Sequence, residues 1–292
     1  MIDLHMHTKF SDGTDSIEEL VDKWIQNDLK YVSITDHDTI DGVNYLYNDI
    51  GLINKLKDNN ITFIHGIEFS SFIDNYPIHL LGYGFDLSNE NILNIIDRGK
   101  QLRFAKFKSR IVALKEQFNI EFSKRSLKEM SEKVDFIGKP IMARYMLKDG
   151  ICDTFEDCFK KYLNNLKLKT VETRIDAREI IPSVIGADGI CVWAHPLGGI
   201  GENRITFQEV ELVIQMLLPL GLKGLECYYN MYTSEEIENL VTIAEKYNLY
   251  ISAGSDYHGE NKKVKMKDFC LDCAVDINKE KATIINYFET HR

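Results

Sequence analysis

Eight histidines occur in the 292-residue chain, and six of them stand at the end of a short apolar run or inside one. His5 and His7 close the first run, Ile2 to His7. His37 follows the second, in Thr35-Asp-His-Asp-Thr39, and His79 lies inside Pro77 to Tyr83. His195 follows Gly189-Ile-Cys-Val-Trp-Ala194, and His258 closes Gly254-Ser-Asp-Tyr-His258. Glu68 lies near the end of the run from Ile61 to Phe69, where an unpaired buried carboxylate would be costly. Residues two apart on a strand point to one face, so His5 pairs with His7 and Asp256 with His258. Imidazoles and carboxylates without thiolates suit zinc, iron or manganese in an open site rather than a closed structural zinc site. One histidine on an apolar strand is ordinarily a satisfied core residue. Six, joined by Asp12, Glu68 and Asp256, are not accounted for that way. His65 has the opposite strand parity to Glu68, and His291 lies near the C-terminus, so both are left out.

The elements that must bring these residues together alternate along the chain. Ser16-Ile-Glu-Glu19 predicts a capping box opening a helix with Ile17, Leu20, Val21, Trp24 and Ile25 on one face. Tyr31–Thr35 reads as a buried strand, 41–57 as a helix, and Ile61–Phe69 and Pro77–Tyr83 as strands. From 87 to 173 the apolar spacing is helical, and between Arg98 and Lys128 stand ten Lys/Arg and two Glu. That segment is either a solvated basic face or one that meets phosphate. Strand signals return at Gly189–Ala194, Gly224–Tyr228 and Leu249–Ala253, with helices over 206–218 and from Thr233 or Ser234 to Tyr247. Strands separated by helices imply parallel β/α units, which gather ligands at the carboxyl ends of the strands.

Composition sets bounds. The formal charge of −10 disfavours stable wrapping of duplex DNA but leaves room for a small phosphorylated substrate. No apolar run reaches the roughly 18 residues of a membrane span, and the start has no basic and apolar leader pattern, so a cytoplasmic protein without a membrane partner is expected. The six cysteines are expected reduced and buried, with Cys270-Leu-Asp-Cys273 a lone CxxC lacking partners for a zinc or redox role. The run Lys262, Lys263, Lys265, Lys267 reads as solvated surface, and Tyr228 and Tyr229 as packing or a base-stacking face.

Asp3-Leu-His-Met-His7, Ser11-Asp-Gly-Thr14, Ile34-Thr-Asp-His-Asp-Thr39, Gly66-Ile-Glu68, Ile78-His-Leu-Leu-Gly-Tyr83, Ala194-His-Pro196 and Gly254-Ser-Asp-Tyr-His-Gly259 stand in this order. Together they resemble the PHP (polymerase and histidinol phosphatase) superfamily, most of all its stand-alone phosphoesterase branch. The resemblance implies a distorted (β/α)7 barrel over 1–86 and 174–292, with 87–173 as a helical, cap-like insertion. It implies two or three divalent ions, with manganese favoured over iron or zinc. His5, His7, Glu68 and Asp256 would hold one ion. Glu68 would bridge to a second, completed by His79 and His195, and Asp12, His37 and His258 would hold a third. Glu68, His195 and Asp256 are then the residues expected at the reacting phosphate. Relatives carry a Gly-Arg-Pro-His-like motif followed closely by Arg; here it reads Gly138-Lys-Pro-Ile-Met-Ala-Arg144, leaving Lys139 and Arg144 as phosphate contacts. The implied reaction is hydrolysis of a phosphate monoester of a small nucleotide, such as a nucleoside 3′,5′-bisphosphate, by a metal-bridging hydroxide. Alternatives are 5′-to-3′ trimming of short RNA, histidinol phosphate hydrolysis, or a non-catalytic metal module.

Overall fold

The computed structural model describes residues 1–132, 138–168 and 174–291. Ser16 opens α1 (Ile17–Gln26) as a full capping box: its hydroxyl accepts from the Glu19 N–H, and the Glu19 carboxylate accepts from the Ser16 N–H. The apolar face of α1 is buried, and the Trp24 indole N–H donates to the Met6 sulfur at 3.2 Å, so the helix packs directly beneath the His5/His7 segment. The single helix expected over 41–57 is two, α2 (Asp41–Asn48) and α3 (Ile50–Asp58). Asp49 between them is extended, and its side chain accepts from the Gly51 and Leu52 N–H groups, restarting the helix.

Two sheets form. β1 (Ile2–Asp3), β2 (Tyr31–Val32) and β3 (Thr62–Phe63) are parallel and adjacent in that order. The larger sheet holds β4 (Gly66–Ile73), β5 (Tyr76–Tyr83), β6 (Ile175–Asp176), β7 (Ile190–Ala194), β8 (Gly224–Tyr229) and β9 (Tyr250–Gly254), in the order β6-β4-β5-β7-β8-β9. The all-parallel expectation fails at β5, which runs antiparallel to β4 and β7. Only Asp74-Asn75 separates β4 from β5, and Asp74 has φ 50°; two residues can turn a hairpin but cannot make a parallel crossover. The run 61–69, read as one strand, is likewise divided between β3 and β4, so Glu68 lies near the start of a strand and not at its end.

The sheets meet where the chain continues past the short strands. Met6 bridges Tyr257, with the Leu4 N–H donating to the Ala253 carbonyl at 3.0 Å, and His37 bridges Glu68. The fold is therefore α/β with a mixed sheet. Its ladders do not run unbroken around a closed barrel among the described residues.

α4 (Glu90–Phe118) spans two environments. Ile92, Ile95 and Ile96 join the main core, while Phe107 and Leu114 join a separate apolar cluster with Ile120, Phe122, Met130, Met142, Met146 and Leu163. α5 (Lys124–Glu132), α6 (Lys139–Lys148), α7 (Phe155–Asp157) and a π-helical turn (Cys158–Leu163) surround that second cluster. The boundary expected at residue 173 lies outside the described residues. α8 (Ala177–Gly186), α9 (Phe207–Leu217), α10 (Ser234–Lys246) and α11 (Ile284–Thr290) complete the chain. Thr233 caps α10 with Glu236 in a capping box.

Candidate metal centre

Close backbone approach and local strain shape the centre. A Cβ on Gly254 would lie 2.1 Å from the His5 Cβ and 2.5 Å from Glu226 Oε1, so only glycine lets β9 pass the His5 segment here. Asp38, His195 and Asp256 hold φ of 50°, 30° and 54°. For a histidine this left-handed backbone costs on the order of 1–3 kcal/mol, of the kind found where geometry serves a site.

Glu68, 1% exposed, is the hub. Its Oε2 lies 3.3 Å from His5 Nε2, 3.2 Å from His7 Nε2 and 2.9 Å from His37 Nδ1. Its Oε1 lies 2.8 Å from His79 Nδ1 and 3.1 Å from His195 Nε2. Asp256 Oδ1 faces His7 Nε2 and His258 Nδ1, both at 3.3 Å, and Asp12 Oδ1 faces His258 Nε2 at 3.0 Å. All nine residues expected as ligands from the sequence thus converge. Their donor atoms, joined by Glu202, form groups compact enough for one ion each: His5/His7/Asp256, His7/Asp12/His37/His258, His37/Glu68/His79 and His79/His195/Glu202.

The donors fit cations better than they fit one another. The Nε2 atoms of His5 and His7 are 3.1 Å apart. Asp12 Oδ1, Glu68 Oε2, His79 Nδ1 and His258 Nε2 are buried without a well-aligned hydrogen bond among the described residues. Buried polar atoms are rarely left so, and a shared cation resolves each of them. The carboxylates also favour protons on His5, His7 and His195. Burial alone would lower the imidazole pKa values. Instead Glu226 and Glu68 hold His5 well above its usual value, Asp256 and Glu68 push His7 to about 9, and Glu202 and Glu68 push His195 to about 10. Despite the opposing effect of burial, Glu68, Asp12 and Asp256 sit well below the carboxylate range, held there by the facing imidazoles and, for Asp256, by Lys262. His37 and His258 go the other way: burial lowers His37 to about 4 and lowers His258 as well.

Several contributors escaped the sequence reading. Glu226, fully buried on β8, accepts from the His195 backbone N–H at 2.8 Å and meets His5 Nδ1 at 3.0 Å. Glu202 meets His195 Nδ1 at 3.1 Å and His79 Nε2 at 3.7 Å. Lys262, expected on a solvated surface, is instead largely covered and pairs with Asp256 Oδ2 at 2.7 Å. Tyr229 is not a stacking face: fully buried, it donates its hydroxyl to Asp256 Oδ2 at 2.9 Å. Tyr228 is half-buried between the two core clusters. His65 turns away, to the Phe85 carbonyl and the Tyr47 hydroxyl, and His291 is exposed. The cysteine expectation needs correction: Cys270 and Cys273 are joined as a disulfide outside the core, Cys152 is half-buried, and Cys158, Cys191 and Cys227 are free and buried. Three residues of separation bring the 270 and 273 side chains within reach of each other.

Two of the cavities that border the centre join it to cationic side chains. One, of about 210 Å³, joins Asp12, His37 and His79 to Ser70, Arg103, Lys106, Arg110, Lys139 and Arg174. Arg103 donates to Asp38 and to the Ser70 hydroxyl, and Arg174 to the carbonyls of Ser71 and Ile78. Arg110 is 8% exposed, and its Nε has no acceptor among the described residues. Burial and the nearby Arg103 lower its pKa to about 10, while burial with the surrounding cations brings Lys106 to about 7. A cluster of this kind favours an anion electrostatically. The other cavity, of about 590 Å³, joins Glu68, His195, Asp256 and His258 to Lys139, Phe155, Phe159, Asn164, Ile200, Asn261 and Lys262. Lys139 borders both cavities, whereas Arg144 lies farther out, donating to Asn261 and lining a separate cleft with Lys9 and Asp12.

Residues 3–172 match the family model described as PHP domain. A 5′-3′ exoribonuclease of Haemophilus influenzae is 28% identical over 257 residues, covering 88% of this chain and 89% of that protein. A 3′,5′-nucleoside bisphosphate phosphatase of Chromobacterium violaceum is 23% identical over 258 residues, covering 88% and 87%. Among solved structures, a Bifidobacterium adolescentis protein provisionally described as a metal-dependent phosphoesterase superposes with TM-score 0.78 at 26% identity, covering 93% and 92% of the two chains. A Chromobacterium violaceum amidohydrolase superposes with the same score at 21% identity, covering 99% and 96%, a likeness of fold alone.

Proposed function

The chain belongs to the PHP domain family and is a metal-dependent phosphoesterase, and from that premise we propose that it hydrolyses a phosphate monoester of a small nucleotide. The observation that carries this reading is the placement of the cationic cavity against the Glu68-centred cluster, the two sharing Asp12, His37 and His79. In this reading His5, His7, Glu68 and Asp256 hold one divalent ion; Glu68, His79 and His195 hold a second; Asp12, His37 and His258 hold a third, with manganese favoured. Ions bound there would supply Lewis-acid polarisation of the phosphoryl oxygens and an acidified water.

The remaining work falls to the chain. Glu226 and Glu202, each on the Nδ1 of a histidine, fix the tautomers so that the Nε2 atoms of His5 and His195 face inward. Lys262 and Tyr229 hold Asp256 from its outer oxygen, leaving Oδ1 toward the centre. Arg103, Arg110, Arg174 and Lys139 neutralise a phosphate that the ions do not reach, with Arg144 an outer contact in the neighbouring cleft that also borders Asp12. The two sheets are read as arcs of a distorted (β/α)7 barrel, and 87–173 as an insertion that carries Arg103, Arg110, Lys139 and Arg144, with Arg174 just beyond it. The Haemophilus influenzae relative supports a second reading, removal of nucleotides from the 5′ end of short RNA.

The test is a panel of adenosine 3′,5′-bisphosphate, a 5′-phosphorylated oligoribonucleotide and histidinol phosphate, assayed for product with manganese added. Release of inorganic phosphate from the bisphosphate is expected. Mononucleotides from the oligomer alone would favour the second reading, and no turnover of any member would overturn both.

A further inference from the structure

The larger cavity has one wall that the chemistry above does not use. Phe155 at the start of α7 and Phe159 in the π-helical turn are both half-exposed and stand with ring centroids 5.2 Å apart at 47°. Both line the cavity that also exposes Glu68, His195, Asp256 and His258, and Ile200 joins them from the loop after β7. Both rings pack on one side against the apolar cluster of the 87–173 segment and leave their other side to the cavity, where apolar surface does nothing for ion binding. A π-helical turn is rare and frequently found at functional sites. Polar groups rim the wall: Asn164 Oδ1 accepts from Lys139 Nζ at 2.9 Å, and Asn261 lines the same cavity.

We propose that Phe155 and Phe159 are the platform on which the substrate's nucleobase stacks, with Ile200 bounding the same slot. This rests on the reading of the chain as a nucleotide phosphoesterase and assigns its specificity for a planar ring. The arrangement divides the substrate: the phosphate at the ion cluster, a further anionic group in the Arg103/Arg110 cavity, and the ring on the phenylalanine wall. Stacking tolerates any base, because each presents a π face. An aromatic-free phosphoester would use the ions and cations but not the wall.

The experiment compares adenosine 3′,5′-bisphosphate with 1-deoxyribose 3,5-bisphosphate, the same molecule without its base. Equilibrium binding is measured calorimetrically on the full chain stripped of metal, and turnover on the manganese-loaded chain. The wild type is expected to bind the base-bearing ligand about ten-fold or more tightly than the other. Phe159→Leu and Phe155→Leu should each erase most of that preference while leaving the abasic ligand unchanged, and Phe159→Tyr should restore it. Equal binding of the two ligands by the wild type would overturn the platform. So would leucine variants that weaken both ligands alike, which would mark a purely structural role. A preference for the base with neither ester hydrolysed would uphold the platform and sink the phosphoesterase reading; hydrolysis of both without preference would do the reverse.

Discussion

Glu226→Gln isolates the support beneath the ligands. Glu226 is fully buried and uses both oxygens, Oε1 on His5 Nδ1 at 3.0 Å and Oε2 on the His195 N–H at 2.8 Å. Glutamine has one acceptor oxygen, so either His5 or the His195 backbone must face an N–H in its place. Its volume is nearly unchanged, which keeps cavity effects out of the comparison. Losing such an outer partner typically costs 10- to 100-fold in metal affinity, or about 1.4–2.7 kcal/mol. A counter-effect must be subtracted. Removing the Glu226 charge also lowers the His5 pKa, which eases proton competition at neutral pH. The deficit should therefore widen as pH rises toward 9 and stand in full where protons no longer compete. Competition against a chelating dye, at pH 7 and pH 9, measures it. Affinity equal to wild type at both pH values, in a variant that folds, would refute the assignment of Glu226 as the group that orients His5 and His195.

Other perturbations follow from the same geometry. Loading the metal-free chain at pH 7 should release protons, because His7 and His195 sit near 9 and 10 and must be neutral to bind; affinity should rise with pH through that range. Calorimetry in two buffers of different ionisation enthalpy counts those protons, and a count of zero would contradict the protonated cluster. Arg110→Met should raise KM for adenosine 3′,5′-bisphosphate at least ten-fold while leaving the free protein as stable or about 1 kcal/mol more so, since it removes a buried cation with no acceptor on Nε; denaturant titration that shows a large loss would argue that the arginine serves the fold. Gly254→Ala places a Cβ against His5 and Glu226, so metal affinity should fall more than ten-fold, and unaltered affinity would contradict the close approach. Trp24→Ala should cost about 3–5 kcal/mol of stability, checked by chemical unfolding.

What the sequence disclosed is the part that chemistry makes locally visible. His5-x-His7, Asp256-x-His258 and a carboxylate in an apolar run mark themselves by spacing, and all converge. The caps at Ser16 and Thr233 are equally local. Glu226 carried the same signal as Glu68, a carboxylate inside the apolar run Gly224–Tyr228, and the desolvation argument applied to one would have found the other. Glu202 had no such mark: it sits in a glycine-containing loop, and only folding brings it to His195. Lys262 looked like its neighbours in a basic run, because charge patterning does not reveal which of four lysines turns inward. The antiparallel β5 was legible in the few residues, 70–76, between the two expected strands, too few for a parallel crossover, and was obscured by the general alternation of strands and helices.

The central claim, that Glu68 anchors a cage for several cations, is tested most directly by an anomalous difference map from manganese-loaded crystals. Two or three peaks are expected, each at coordination distance from its own group of His5, His7, Asp12, His37, Glu68, His79, His195, Asp256 and His258. An empty cleft, or a single peak remote from Glu68, would contradict the account.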